Sequence, residues 1–290
     1  MSNTGQPNCV PIFSVTSGLI MVPIKANNGT LNGIDLSASV PTWSTLINNP
    51  SDTRWFPIGQ FENVELPKAD SQFEEANSGK MAFLRQGKRS FSGELWSEDS
   101  TPTLLGKLQL NRCVDFGVYI VDVNGNLIGS KSDGFLYPIP VDNPSFDPRF
   151  NFATDSTVQK LIVAFDVYRL FDESTMYMIT PTEAGINFND LDGLVDVNLV
   201  VDAQVSATSV TVSATFDYGT AYNPLKYKGA TATSDWEILD DVGASLGAPS
   251  SVTEISDGQY LLDFVFTPAS DYSVAVDKDG FEGKVTFTAV

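Results

Sequence analysis

The amino-acid sequence predicts a mainly β protein, a β-sandwich or small barrel with a flanking helix followed by a smaller all-β module. Three observations carry this expectation. Runs rich in β-branched and aromatic residues alternate with clusters of Gly, Pro, Asn and Asp along most of the 290 residues. One stretch alone joins a strong helix-start signal to an apolar face. Past residue 193 the composition shifts and short strands follow one another closely.

Residues 1–53 are polar and rich in Gly, Pro and Asn, which fits a long loop region or arm. Strands are expected at Arg54–Leu66, Met81–Leu84 and Lys88–Trp96. The helix is expected at Thr101–Asn111. Ser100-Thr101-Pro102-Thr103 offers an N-cap and a first-turn proline, and Leu104, Leu105, Leu108 and Leu110 supply the apolar face. Val114–Val123 then reads as a long strand, and Asn124-Gly125 is a hairpin signal that turns it into a return strand at Asn126–Gly129. Further strands fall at Gly134–Val141 and Val158–Phe171, and Tyr177–Ala184 suggests a short helix interrupted by Pro181. Phe188–Leu194 reads as a boundary between a domain at 54–193 and one at 194–290. In the latter, strands at Val195–Val205, Ser209–Phe216, Trp236–Leu239, Ser251–Ile255, Gln259–Thr267, Tyr272–Asp277 and Lys284–Thr288 predict an immunoglobulin-like β-sandwich without the paired cysteines of antibody domains.

Charge and missing residue types narrow the function. The chain has no histidine, and 36 acidic against 17 basic side chains give a net charge of −19. Without imidazole there is no Ser–His or Cys–His nucleophile, no imidazole acid–base catalysis and no His-containing zinc site. The charge opposes a specific grip on nucleic-acid phosphates, though an acidic channel wall would let DNA slide past without trapping it. Residues 1–193 hold 13 basic and 22 acidic side chains, net −9, and residues 194–290 hold 4 and 14, net −10. No apolar run approaches the ~20 residues of a membrane helix, so no membrane role is expected. Met1–Gly18 lacks the basic start of a secretory signal, which leaves the sequon Asn28-Gly29-Thr30 without a secretory route. Cys9 and Cys113 stand far apart and suit a reduced compartment, with a long-range disulfide as the alternative.

The candidate motifs mostly have plain explanations. Gly79-Lys80, Gly87-Lys88, Gly106-Lys107 and Gly283-Lys284 lack the following Ser or Thr and the glycine spacing of a phosphate loop. Asp122-Val-Asn124-Gly125-Asn126, with Asp133 at the twelfth position, is superficially like a calcium loop, but its glycine comes two positions early and the final glutamate is missing. Asp190, Asp192 and Asp196 are either a solvated linker or calcium ligands. A glycosidase needs two facing carboxylates, and neither Glu74-Glu75 nor Asp240-Asp241 supplies them, since adjacent strand residues diverge. Trp43, Trp55, Trp96 and Trp236 are core anchors or a sugar-stacking platform. Lys80, Arg85, Lys88 and Arg89 form the one basic cluster, either a solvated strand end or a patch that docks on the acidic face of a neighbouring copy. No catalytic, cofactor-binding or metal-ligating residue is assigned, and no cofactor is expected.

The order Phe91-Ser-Gly-Glu-Leu-Trp96, Ser100-Thr-Pro-Thr-Leu-Leu-Gly-Lys-Leu-Gln109 and Val118-Tyr-Ile-Val-Asp-Val-Asn-Gly-Asn-Leu-Ile-Gly129 resembles the tail tube, or major tail, proteins of long-tailed bacteriophages. The resemblance is architectural and covers roughly 55–180, with 194–290 similar to the immunoglobulin-like domain that many of them append. It implies a non-enzymatic virion protein, made in the host cytoplasm, whose copies close into rings, usually sixfold, that stack around a DNA-conducting channel. It also implies that 1–53 serves as an arm ordered on assembly, that other virion proteins are partners, and that DNA is only passing cargo. The other readings are a head-decoration, connector or baseplate protein, a carbohydrate-binding or adhesive β-sandwich, and a histidine-free glycosidase.

Overall fold

The computed structural model describes residues 5, 12–38, 41–96, 100–220, 222–278 and 280–290. The chain divides into two compact units, Met1–Gly193 and Leu194–Val290. The protein is mainly β.

The strands of the first unit are β1 (Thr16–Pro23), β2 (Ile34–Asp35), β3 (Phe56–Ile58), β4 (Glu62–Glu65), β5 (Gln72–Glu75), β6 (Met81–Arg85), β7 (Ser90–Trp96), β8 (Phe116–Asp122), β9 (Leu127–Ser132), β10 (Phe135–Tyr137), β11 (Ile139–Pro140), β12 (Asp147–Asn151), β13 (Lys160–Asp166) and β14 (Met176–Ile179). Its helices are α1 (Trp43–Ile47), α2 (Pro102–Leu110) and α3 (Pro181–Ala184). One sheet has the order β2-β10-β9-β8-β1-β3, with β11 also on β8 and β14 on β9, and the second has the order β12-β13-β7-β4. The two face each other across a core in which Leu19, Met21, Val118 and Ile120 meet Phe91, Leu95, Leu161, Val163 and Phe165. Helix α2 closes this core with Leu104, Leu105 and Leu108. Thr101 Oγ1 accepts from Leu104 N at 3.2 Å and Pro102 takes the first turn, so the cap signal in the sequence marks the true helix start.

Strand β8 is buried along its whole length, on both faces. Its odd-numbered residues Tyr119 and Val121, with Ile20 and Val22 of β1, face away from the first core into a second, built with Trp43, Trp55, Leu136, Ile179 and Phe188. Trp43 packs on Phe188 (centroids 4.8 Å apart) and Trp55 on Tyr119 (5.1 Å). Both polar tips are satisfied: Trp43 Nε1 donates to Ala184 O at 2.9 Å, and Tyr119 Oη donates to Leu136 O at 2.8 Å. Burial raises the Tyr119 phenol well above its ordinary pKa.

This corrects the expectation of an arm at 1–53. Thr16–Pro23 is a central strand between β3 and β8, and Trp43 and Trp55 anchor a third layer over the first sheet. Residues 1–4 and 6–11 lie outside the described residues. The expected helix at Tyr177–Ala184 is corrected as well. Met176–Ile179 is a strand on β9, and Pro181 starts α3 rather than breaking it. Thr180 and Glu183 form a capping box there, with Thr180 N donating to Glu183 Oε2 at 2.8 Å, and Gly185 ends the turn at φ 74°.

The second unit contains β15 (Val195–Ser206), β16 (Ser209–Thr220), β17 (Asn223–Lys226), β18 (Trp236–Leu239), β19 (Ser245–Gly247), β20 (Ser251–Ser256), β21 (Gln259–Asp263), β22 (Asp271–Lys278) and β23 (Phe281–Thr288). Its strands run β19-β18-β22-β23 on one side and β15-β16-β21-β20 on the other. The start of β15 also pairs in parallel with β23, through Val195↔Phe281 and Asp196↔Glu282. This is the strand order of an immunoglobulin sandwich. Trp236 is buried on the strand corresponding to C, packs on Tyr260 at 5.0 Å and donates to Ala230 O at 2.8 Å. Tyr272, at the start of the strand corresponding to F, accepts from Thr267 N five residues upstream at 2.9 Å, the arrangement of a tyrosine corner. Tyr260 is fully buried, its hydroxyl donates to Tyr227 O at 2.9 Å, and burial pushes its pKa up to about 12.

Gly283 lies where β23 passes β15, and a Cβ there would meet Val197 O at 2.3 Å. Gly283→Ala should therefore destabilise the second unit by about 1–3 kcal/mol, read as a lowered midpoint in thermal or urea unfolding. Tyr272→Phe should cost about 1 kcal/mol in the same measurement by removing the corner hydrogen bond.

Candidate assembly surface

The second sheet of the first unit continues into a ribbon. Beyond Glu65 and before Ser90 the two chain segments stay joined: Ser90 N donates to Pro67 O at 3.0 Å and Ala69 N to Lys88 O at 2.8 Å. Strands β5 and β6 then pair from Gln72↔Arg85 to Glu75↔Met81. The end closes tightly, with Ala76 N donating to Lys80 O at 2.9 Å, Gly79 N to Ala76 O at 2.8 Å, and Gly79 at φ 78°. Only glycine adopts that conformation without strain.

Every residue from 72 to 86 is exposed, including four large apolar side chains. Phe73 and Phe83 are direct cross-strand partners, 54% and 60% exposed, with ring centroids 5.7 Å apart edge to face. Met81, two residues from Phe83, lies on the same face of the ribbon. A lone two-stranded hairpin is marginally stable in water, and clustered exposed aromatics mark contact surfaces. The element therefore presents a compact apolar face to solvent.

The four basic residues divide between the tip and the roots of this ribbon. Lys80 follows the end turn, and Arg85 Nε donates across the ribbon to Gln72 Oε1 at 2.7 Å. Lys88 and Arg89 are engaged within their own unit: Lys88 Nζ lies 3.0 Å from Asp166 Oδ2, and Arg89 Nε lies 2.8 Å from Glu173 Oε1. A single four-residue docking patch is thus not what these side chains form. Only Lys80 and Arg85 travel with the exposed apolar face.

The other candidates resolve into structure. Asp122 is fully buried and accepts from Asn124 N, Asn126 N and Asn126 Nδ2 at 2.8–2.9 Å, so the calcium-like string is a hairpin stapled by its own carboxylate. No group of three or more Cys, Asp or Glu among the described residues could hold a metal ion. Trp43, Trp55 and Trp236 are buried and make no sugar platform. Trp96 is partly exposed and lies under Lys160 Nζ, 4.6 Å from the ring centroid. Asp240 accepts from Val242 N and Ala244 N as a turn residue. Glu74 and Glu75 sit on the ribbon. Cys113 is a free, exposed thiol, and Cys9 lies outside the described residues.

No protein-family model matches the chain, and no curated protein does. Among solved structures, the full ectodomain (Ig1–Ig3) of mouse nectin-like molecule 4 is 8% identical over 96% of this chain and 95% of that chain, at a TM-score of 0.17. A score that low carries no weight for either unit.

Sequence reasoning found β6 but missed β5, and with it the ribbon. The available signal was the pair Gln72-Phe-Glu-Glu75 and Met81-Ala-Phe-Leu84 around Ala76-Asn-Ser-Gly79. Gly87 permits the crossing at the root, where a Cβ would meet Ala69 O at 1.6 Å. Gly87→Ala should part the two segments there, detectable as new protease cleavage within 67–90 while the melting temperature of the second unit is unchanged.

Proposed function

We propose that this protein is a structural subunit that assembles with copies of itself, and that the assembly is a bacteriophage tail tube: stacked rings enclosing a channel for DNA. The ribbon carries the reading. An unsupported β-hairpin that exposes Phe73, Met81 and Phe83 is stabilised when a neighbouring subunit covers it. Two further features support it. The first unit is an open sandwich whose sheets end in β3, β4, β12 and β2, edges that association between copies would protect. An immunoglobulin-like unit follows it, the same order of parts as in tail proteins that carry such a domain on the outside of the virion. On this reading the protein is not an enzyme, its other partners are virion proteins, and acidic side chains in the channel wall keep DNA from adhering.

Electron microscopy of the purified protein tests the proposal. Rings or tubes on the order of 100 Å across are expected. A strictly monomeric protein under all assembly conditions would reject it, and a neutral or basic channel wall in an assembled map would reject the acidic conduit. Replacing Phe73 and Phe83 with Ser should abolish assembly while leaving the unfolding free energy of the unassembled chain within about 0.5 kcal/mol of the parent, because both rings are already exposed.

A further inference from the structure

The ribbon has no apolar anchor, since residues 72–86 are all exposed. It is attached only at its roots, where the backbone bonds that continue the sheet, among them Val167 N to Arg89 O at 2.8 Å, are joined by a set of ion pairs. Lys68 on the outgoing segment and Arg89 on the returning one share Glu173, at 2.8 Å each. Lys88 reaches Asp166 at 3.0 Å and Asp142 at 3.3 Å. None of the three acids belongs to the ribbon: Asp142 follows β11, Asp166 ends β13, and Glu173 precedes β14. Arg89 Nη1 also donates to Leu66 O, and the Ser90 hydroxyl donates to Asp166 Oδ1 at 2.7 Å. All six charged groups are partly exposed, so salt and protons reach them.

We propose that these six charges form a latch that fixes the direction of the ribbon on the first unit, and that acid or high ionic strength opens it, freeing the ribbon to swing about its root, the paired segments 67–69 and 88–90, while the sandwich stays folded. The use of the latch in assembly rests on the function proposed above; its existence does not. Closed, it holds the Phe73–Phe83 face in one direction. Open, it lets that face search for a partner.

The titration has a definite sign. The hydrogen bond from Arg89, with a lesser one from Lys68, holds the Glu173 carboxyl below its ordinary value. Burial pushes Asp166 up, but bonds from Ser90 and Lys88 outweigh it and leave that carboxyl lowered too. Asp166 and then Asp142 raise Lys88, which keeps its charge at neutral pH. With both acids lowered in the folded state, the latch is complete above the ordinary carboxylate range near ~4 and is lost as pH falls through their lowered values.

The test uses the exposed thiol of Cys113 as one spin-label site and Ser78→Cys, in the ribbon turn, as the other, in a Cys9→Ser background. Pulsed electron spin resonance on the dilute, unassembled 290-residue chain then reads the distance between them. At pH 7 and low salt a single narrow distance is expected. Glu173→Gln together with Asp166→Asn, or 1 M NaCl, should broaden it, whereas Asp133→Asn, in the turn after β9, should leave it narrow. A distance that stays narrow in the double variant and in salt overturns the latch. So does broadening accompanied by loss of cooperative unfolding, which would assign these acids to the fold instead. Because the measurement is made on unassembled protein, a chain that never forms rings leaves the result readable.

Discussion

The two-sided burial of β8 is the constraint from which the first unit follows. A strand with apolar residues on both faces cannot sit at a surface, so its sheet needs a cover on each side. One cover is the second sheet with α2. The other is assembled from segments far apart in sequence, Trp43 and Trp55 from the amino-terminal region and Ile179, Ala184 and Phe188 from the end of the unit. Segments around residues 43–55 and 179–188 are thereby both committed to its interior. What remains uncovered, among the described residues, is the β5–β6 ribbon, the one paired-strand element in which every residue faces solvent.

Several parts of this fold were legible in the sequence because their causes are local. Asn124-Gly125 fixed a hairpin, Thr101-Pro102 started a helix, and the spacing of short strands after residue 194 marked a sandwich. The first layer was not legible. Thr16–Pro23 contains a bulge and a glycine, its apolar run Leu19-Ile-Met-Val22 is short and ends at a proline, and it becomes a central strand because β8 offers it two faces to complete. Pro181 misled for the opposite reason, since its meaning depends on whether it stands first or in the middle of a helix, and the strand before it decides that. The basic cluster was visible as composition but not as geometry. Residues 88 and 89 find their acids at 142, 166 and 173, separations that no local pattern encodes.

The second unit solves the stability problem of its fold with aromatic side chains instead of a disulfide. Trp236, Tyr260, Tyr227 and Tyr272 fill the space between the sheets, and Trp236, Tyr260 and Tyr272 each direct a polar atom at a backbone partner. A core of this kind is indifferent to redox conditions. It folds as well in a reducing interior as in an oxidising medium, which matters for any protein made in one and used in the other.

The parallel pairing of β15 with β23 also has a mechanical meaning. In parallel strands the chain enters one at the same end that it leaves furthest behind in the other, so the links to Leu194 and to Val290 lie at opposite ends of the pair. A pull between those ends loads the bonds around Val195 and Asp196 together, in shear, instead of peeling them apart one at a time. The entrance of the unit is thus held by a two-residue clasp oriented to bear load along its strands.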